Sequence, residues 1–509
     1  MTDRLRRLVA GVLAPGFNGT AVPAWLRSAI DGGLGSVVLF GHNLQFDGEA
    51  PIEPDEQIGP GEPVEHFSRI AGLTTQLRAE RVDLLIASDE EGGDVSRIEV
   101  TGGSSLPGAA ALGAIGDVGL TADVAAAHGR LLRALGIDCA LAPVADVNSN
   151  PGNPVIGVRS FGADAVGVAQ QVVAYSAGLQ DAGIMACVKH FPGHGDSAVD
   201  SHHALPYLDE TLEDLAGREL VPFRAAIDAG VAAVMPGHLV VPAVDELPAS
   251  ISRRWIQILR AELGFDALVI SDALDMAAVA ATYGVPGAAV RGLQAGIDLL
   301  CLGNTRGIDD ELMFTSCLDA IVAAVRDGLI SEQQLQDSAT RRVTAMAAVD
   351  VTPVVDIASA VADLRSIGRK AAELAIGPGW PPELSPLPAD SRPVIVDLRH
   401  GRTMAAGPTS ARLTDALQRT WPGSTSIGGP DAPALLPADP RPVLILVRSP
   451  VRDSAGGKAL DALLRLRPDA VVIDTGWPTP TGHRRTVFSY GSAAVNIRLV
   501  CERLTGLGR

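Results

Sequence analysis

Eight short apolar runs, each about the length of a β-strand, recur between helical stretches over the first 300 or so residues. They are LVAGVLA (8–14), SVVLF (36–40), DLLIAS (83–88), DCALAP (138–143), IMACV (184–188), VAAVM (231–235), ALVIS (267–271) and DLLCL (298–302). Each run is apolar on both faces, the pattern of strands in a parallel sheet covered on two sides. The segments His66 to Arg81, Leu120 to Leu135, Ala165 to Ala182, Leu212 to Ala229, Arg253 to Leu263 and Ala288 to Ala295 read as helices, and Gly136, Gly183, Gly230, Gly264 and Gly296 stand where helices stop. Eight such units predict an α/β chain built on a (β/α)8 TIM-type barrel. A doubly wound open sheet would give the same alternation. It supplies no reason for the polar residues that follow nearly every run, whereas a barrel gathers those positions at one mouth. They are Gly41-His42-Asn43, Asp89-Glu90-Glu91, Asp146, Lys189-His190, His238, Ser271-Asp272 and Gly303-Asn304.

A chain of 509 residues exceeds one ordinary domain. We expect the barrel over 1–350, with helices from Leu312 to Val325 and Glu332 to Ala348, then a helix and Pro-rich linker over 351–392. A smaller α/β sandwich domain should follow over 393–509, where the alternation resumes with PVIVDL, PVLILVR, AVVIDT and TVFSY. There, Arg448-Ser449-Pro450 and Asp474 fall at strand ends, with packing or interface contact as their expected role. Residues 45–65, rich in Pro, Gly and acid, should form a surface loop. The apolar part of the N-terminal segment stops at Pro15 and reads as the first strand rather than a signal sequence.

The net charge is −18, which disfavours nucleic acid and anionic membrane as partners. No apolar run approaches the roughly 20 residues of a membrane span. Five scattered cysteines do not make a disulfide framework, and Cys139, Cys187 and Cys301 sit inside strand runs as small hydrophobes, which fits a cytoplasmic location.

Four of the ten histidines, His190, His194, His202 and His203, lie in one stretch, IMACVKHFPGHGDSAVDSHHALP (184–206). An apolar strand ends there in Lys189 and His190, and a loop with two glycines carries Asp200 and His202. A carboxylate two residues from an imidazole can fix its tautomer and form an acid–base unit; the alternative is a turn stabilised by Asp200 with His202 exposed, and His203 could take the role instead. Asp272, directly after ALVIS, is open to two readings: a nucleophile or general base at a strand mouth, or the N-cap of a helix starting at Ala273. Asp275, one helical turn on, should point away from the mouth. Asp89, Arg159, Lys189 and His190 could hold the hydroxyls of a polar substrate or form structural ion pairs. The histidines and Asp272 could ligate a metal, but their spacing matches no compact ligand motif, so neither metal nor cofactor is expected.

The stretches DEEGGDVSRIE (89–99), LAPVADVNSNPGNPVIGVRSFG (141–162), KHFPGHGDSAVDSHHALP (189–206), VMPGHLVVPAVD (234–245) and LGFDALVISDALDM (263–276) together resemble glycoside hydrolase family three, and within it the β-N-acetylglucosaminidase branch. The resemblance runs through roughly 8–345. It implies that Asp272 is the nucleophile, that Asp200 and His202 are the acid/base dyad, and that Asp89, Arg97, Arg159, Lys189 and His190 contact sugar hydroxyls. Glu90 where Gln is usual, Pro236-Gly237-His238 for a Thr-Ala-His pattern, and His42 for Arg are departures that leave every catalytic group in place. The implied activity is a retaining exo-glycosidase acting on terminal β-linked N-acetylglucosamine, in a muropeptide or a chito-oligosaccharide, with a place in cell-wall recycling. A glycoside phosphorylase or β-glucosidase using the same site is the alternative, since an imidazole does not repel phosphate as a carboxylate does. A non-catalytic sugar-binding protein is a third class, against which the full set of catalytic groups implied by the resemblance argues.

Overall fold

The computed structural model describes residues 2–46, 64–303, 309–349, 354–399, 410–428, 441–450, 454–479 and 482–507. Asn304 and nearly all of the 45–65 segment lie outside these.

Eight parallel strands form a closed ring. They are β1 (Leu13–Ala14), β2 (Ser36–Leu39), β3 (Leu85–Ser88), β6 (Cys139–Ala140), β7 (Met185–Phe191), β8 (Ala233–Pro236), β9 (Leu268–Val269) and β10 (Leu300–Cys301), with a hairpin of β4 (Glu90–Gly92) and β5 (Val95–Ser96) inserted after β3. Strands β2, β3, β6, β7, β8 and β9 pair in that order. Ile270 bridges to Leu299, Leu13 pairs with Leu300, and Val38 N donates to Pro15 O at 3.1 Å, which closes the circle.

Alternate strand residues serve two cores, as the period of two requires. Val38, Leu85, Ala87, Cys139, Met185 and Cys187 fill the barrel interior. Val37, Ile86, Ala140, Ala186, Val188 and Val234 face the surrounding helices. The three strand cysteines are therefore interior packing groups, and burial pushes the Cys187 thiol up to about 12. The helix Glu332–Val349 closes the bottom of the barrel with Ala345 and Val349.

Several boundaries differ from expectation. Residues 8–10 belong to a helix, Thr2–Ala10, because Leu5 and Val9 lie on one helical face and are buried while Arg4 and Arg7 are exposed; the first strand is only Leu13–Ala14. The stretch Leu212 to Ala229 is two helices, Leu212–Gly217 and Leu220–Asp228, with Pro222 tolerated in the first turn of the second. Arg253–Gln257 continues into a π-helical turn, Ile258–Glu262. The helix ending at Ala295 starts much earlier, at Ala277, and kinks at Gly284. All five predicted helix-stop glycines have positive φ.

The second sheet is parallel, in the order β12-β11-β13-β14-β15: β11 (Val394–Asp397), β12 (Thr425–Gly428), β13 (Val443–Val447), β14 (Val471–Asp474) and β15 (Thr486–Phe488). Helices cover both faces. Strand β12 was not foreseen; it is a mostly exposed edge strand without an apolar run. The helix Ile357–Ile376 is a strut between the two bodies. Its Val361 and Leu364 pack in the barrel's outer core, and its Ala372 and Ile376 pack in the second core.

At the foot of β10, Asp298 is 2% exposed and accepts from Arg260 Nη2 (2.5 Å), Arg341 Nη1 (3.0 Å), Ser338 Oγ (3.1 Å) and Val269 N (2.9 Å). Asp298→Ala should destabilise the barrel by about 3–5 kcal/mol, because it leaves the Arg260 charge with only the Phe265 and Ala267 carbonyls and no bonded carboxylate. Since the N-terminal face of such a barrel serves stability rather than chemistry, urea unfolding should show the loss while KM of the folded fraction stays unchanged.

Candidate active site

The mouth of the barrel opens into a pocket of about 630 Å³. Asp89, Arg97, Arg159, Lys189, His190, His202 and Asp272 all line it. Asp200 stands behind His202.

One wall is a lattice of buried charges. Lys189 Nζ lies 2.9 Å from Asp89 Oδ1 and 2.7 Å from Glu91 Oε1. Arg159 grips Glu91 with two parallel bonds of 2.8 Å, Nε to Oε2 and Nη2 to Oε1. Arg97 Nη2 reaches Asp89 Oδ2 at 3.4 Å. Burial alone would raise both carboxyls, but the cations reverse this: Arg159 and Lys189 hold Glu91 at about 2, and Lys189 and Arg97 hold Asp89 well below the usual carboxylate range. The sequence marks Glu91 only as one of three acids at a strand end. It is a central partner, turned inward by the β4–β5 hairpin. The strand periodicity carries no sign of that hairpin.

Successive strand residues normally face opposite sides, yet Lys189 and His190 both line the pocket. The pairing of β7 with β8 shifts register between Lys189 and Phe191, a local irregularity of the kind that re-aims side chains. Buried Asp146 fixes His190: its Oδ2 lies 2.7 Å from Nδ1 and its Oδ1 accepts from His190 N at 3.2 Å. A carboxylate can only accept, so Nδ1 carries the hydrogen and Nε2 faces Arg159 Nη2 at 3.4 Å. His194 N also donates to Asp146 Oδ1, at 2.8 Å, and burial lowers the His194 imidazole to about 4.

The opposite side carries Asp272. It is not a helix N-cap: the helix begins at Ala277 and its cap is Met276. Its Oδ1 instead accepts from Ala273 N at 2.8 Å. His238 holds this turn from below, donating Nε2–H to Ala273 O (2.8 Å) while Nδ1 accepts from Ser250 Oγ (2.6 Å). Burial would raise the Asp272 carboxyl; His238, His190 and the Ala273 amide outweigh it and keep Asp272 below the ordinary value. Because residues 272–276 form a turn and not a helix, Asp275 does not point away from the mouth. It lines the pocket beside Gly303.

The loop after β7 brings the dyad. Gly195 is pressed on Val147 O so closely that a Cβ would stand 1.8 Å from it, so only glycine fits there. Asn153 Nδ2 ties the loop's base through His194 O (2.9 Å) and Gly195 O (3.0 Å). Asp200 Oδ1 accepts from His202 N (2.9 Å) and meets His202 Nδ1 at 2.8 Å. Burial opposes ionisation of Asp200, and the His202 bonds overcome it, lowering the carboxyl to about 2. His203 is exposed and does not line the pocket. The second domain also reaches in, with Arg412 and Asp415, which no sequence signal marked. Among the described residues no three His, Cys, Asp or Glu side chains converge as metal ligands, and no helix is long and apolar enough to cross a membrane.

Residues 30–346 match the family model for the glycosyl hydrolase family 3 N-terminal domain. A β-hexosaminidase of Thiobacillus denitrificans is 41% identical over 254 residues, covering 48% of this chain and 70% of its own length. The β-hexosaminidase LpqI of Mycobacterium tuberculosis is 38% identical over 268 residues, 51% of this chain and 67% of its own. The solved structure of a glycoside hydrolase family 3 β-N-acetylglucosaminidase from a Paenibacillus species superposes with a TM-score of 0.80 at 32% identity, spanning 99% of this chain and 96% of that one. The barrel, its ring of strand-end charges and these likenesses agree: this chain belongs to glycosyl hydrolase family 3.

Proposed function

We propose that the chain is a retaining exo-glycosidase that releases terminal β-linked N-acetylglucosamine from a muropeptide or chito-oligosaccharide. The observation that carries this is a single pocket lined by a carboxylate kept ionised, Asp272, and by an imidazole bonded to its own carboxylate, His202. The similarity to β-hexosaminidases supports the choice of sugar.

In the proposed reaction Asp272 attacks the anomeric carbon and the glycosidic C–O bond breaks. Its electron pair leaves on the departing oxygen, which takes a proton from the His202 imidazolium. A covalent glycosyl-enzyme remains. His202, now neutral, takes a proton from water; the water oxygen attacks the anomeric carbon and expels the Asp272 carboxylate, with net retention. Asp200 holds the Nδ1 hydrogen, so Nε2 is the atom that gives and takes the proton. Asp89, Arg97, Arg159, Lys189 and His190 bind hydroxyls through donors and acceptors already oriented by their ion pairs.

The test is a panel of aryl β-glycosides (N-acetylglucosaminide, glucoside, xyloside), assayed with and without phosphate and with the sugar product identified. Free N-acetylglucosamine at a rate independent of phosphate supports hydrolysis; a sugar phosphate supports the phosphorylase alternative. Asp272→Ala should abolish turnover of every substrate. His202→Ala should slow a natural β-linked disaccharide by about 10²–10⁴-fold, and an aryl glycoside with a good leaving group by less; equal losses would remove the acid role.

Lys189 sets a pH signature. It opposes the burial that would raise the Asp89 and Glu91 carboxyls, so its removal lets those carboxyls take up protons at higher pH. On acidification, KM of Lys189→Met should begin to rise at a higher pH than KM of the wild type. Parallel KM–pH curves would show that Lys189 does not keep these carboxylates charged.

A further inference from the structure

The C-terminal edge of the second domain's parallel sheet faces one barrel segment, residues 94–104. Arg448, at the end of β13, places Nη1 2.9 Å from Asp94 Oδ2. Ser492, in the turn after β15, donates its backbone N–H to Asp94 Oδ1 at 2.5 Å. Arg412, in the first turn of the helix Ser410–Thr420, donates to Val100 O, and Val495 N donates to Ser104 O at 3.3 Å. The Asp94 side chain is 1% exposed, so its charge is answered almost wholly by the second domain.

Asp94 is the tip of the β4–β5 hairpin. Asp89 stands just before the hairpin, Glu91 lies in its first strand, and Arg97 follows its second. Buried Glu90 secures the base, accepting from Arg97 N and Ile98 N at 2.8 Å each and from Ser96 Oγ at 2.9 Å. At the tip, Gly93 N donates to Leu106 O at 3.1 Å within the barrel domain, whereas the Asp94 side chain is held by the second domain. Gly491 makes the close approach possible: its φ is +112°, and a Cβ there would stand 2.9 Å from Asp94 Oδ1. Asp272 and His202 sit on other loops, after β9 and β7. Movement of the hairpin therefore shifts Asp89, Glu91 and Arg97 against their partners Lys189 and Arg159, while Asp272 and His202 are carried on separate loops.

We propose that the second domain sets the affinity of the sugar pocket by gripping the tip of this hairpin, with Asp94 and Arg448 as positioning residues and Gly491 as the residue that lets the grip form. The inference deepens the proposed function and rests on the pocket being the sugar site.

The test uses the full chain in four forms: Arg448→Ala, Arg448→Lys, Gly491→Ala, and the charge-free pair Asp94→Asn with Arg448→Gln. Active sites are titrated with a fluorosugar, so misfolded protein drops out of the rates. Arg448→Ala and Gly491→Ala should raise KM by about tenfold while kcat per titrated site stays within about threefold. Arg448→Lys and the charge-free pair should recover most of the KM, since neither leaves Asp94 as a lone buried charge. An unchanged KM in Arg448→Ala and Gly491→Ala, or a fall in kcat as large as that in kcat/KM, overturns the proposal. Amide hydrogen exchange supplies a readout independent of substrate. In Arg448→Ala, exchange should rise across 89–103 and not across 268–276. No rise there overturns the grip even if the enzyme hydrolyses N-acetylglucosaminides; a rise in a protein that turns over none of the panel sinks the proposed function and keeps the grip.

Discussion

Two carboxylates and three cations share the floor and wall of one pocket, and each needs the others. An unpaired ion buried there would cost several kcal/mol. Lys189 answers Asp89 and Glu91 together, Arg159 answers Glu91, and Arg97 answers Asp89. These residues come from the loop after β3, the hairpin, the turn at 157–159 and the end of β7. Charge pairing thus draws separate strand ends to one point, and the barrel supplies the geometry in which they can meet. The same pairing leaves donors and acceptors fixed before any substrate arrives. In the proposed function, the hydroxyl groups of a sugar exchange water for these partners with little rearrangement.

The barrel was legible because its signal is redundant. Eight runs, apolar on both faces, each repeat the same statement, and losing part of one does not alter the count. Residues 8–10 illustrate this: they left the first strand for a helix, yet β1 still closes the ring through Leu13 and Ala14. Within the site, the strand-end rule found Lys189, His190 and Asp272, because position along a strand decides them. It did not separate Asp89 from Glu90 and Glu91. Glu90 faces the interior of the protein and holds backbone amides, whereas Glu91 faces the pocket, and a hairpin of only seven residues between Glu90 and Ser96 decides which does which. Asp275 was misplaced because a tight turn at 272–276 has no signature distinguishing it from a helix's first turn. Arg412 was beyond reach altogether, since its place depends on how one domain docks on another.

The two halves of the site are held differently. Asp272 is fixed by its neighbour's amide, by His238 beneath that neighbour, and by Ser250 beneath His238. His202 depends on a loop tied at its base by Asn153 and exposed toward its tip at Val199 and His203. In the proposed mechanism the first arrangement suits Asp272 as nucleophile, since a nucleophile must meet a carbon at one angle. In the same proposal His202 gives a proton to a departing sugar and then takes one from water, so it serves two partners in turn, and the second arrangement suits that role.

The loop does not lose control of its proton by having that room. Asp200 and His202 are two residues apart, and one carboxylate oxygen engages both the backbone N–H and Nδ1 of His202. The pair is therefore a self-contained unit whose internal geometry does not depend on where the loop lies. Its tautomer is set within the loop, with Nε2 left free for chemistry. Had the orienting carboxylate come from the barrel wall, every displacement of the loop would break the bond that prepares the imidazole. For the acid proposed here, carrying the carboxylate along with the histidine keeps the protonation pattern fixed independently of the rest of the site.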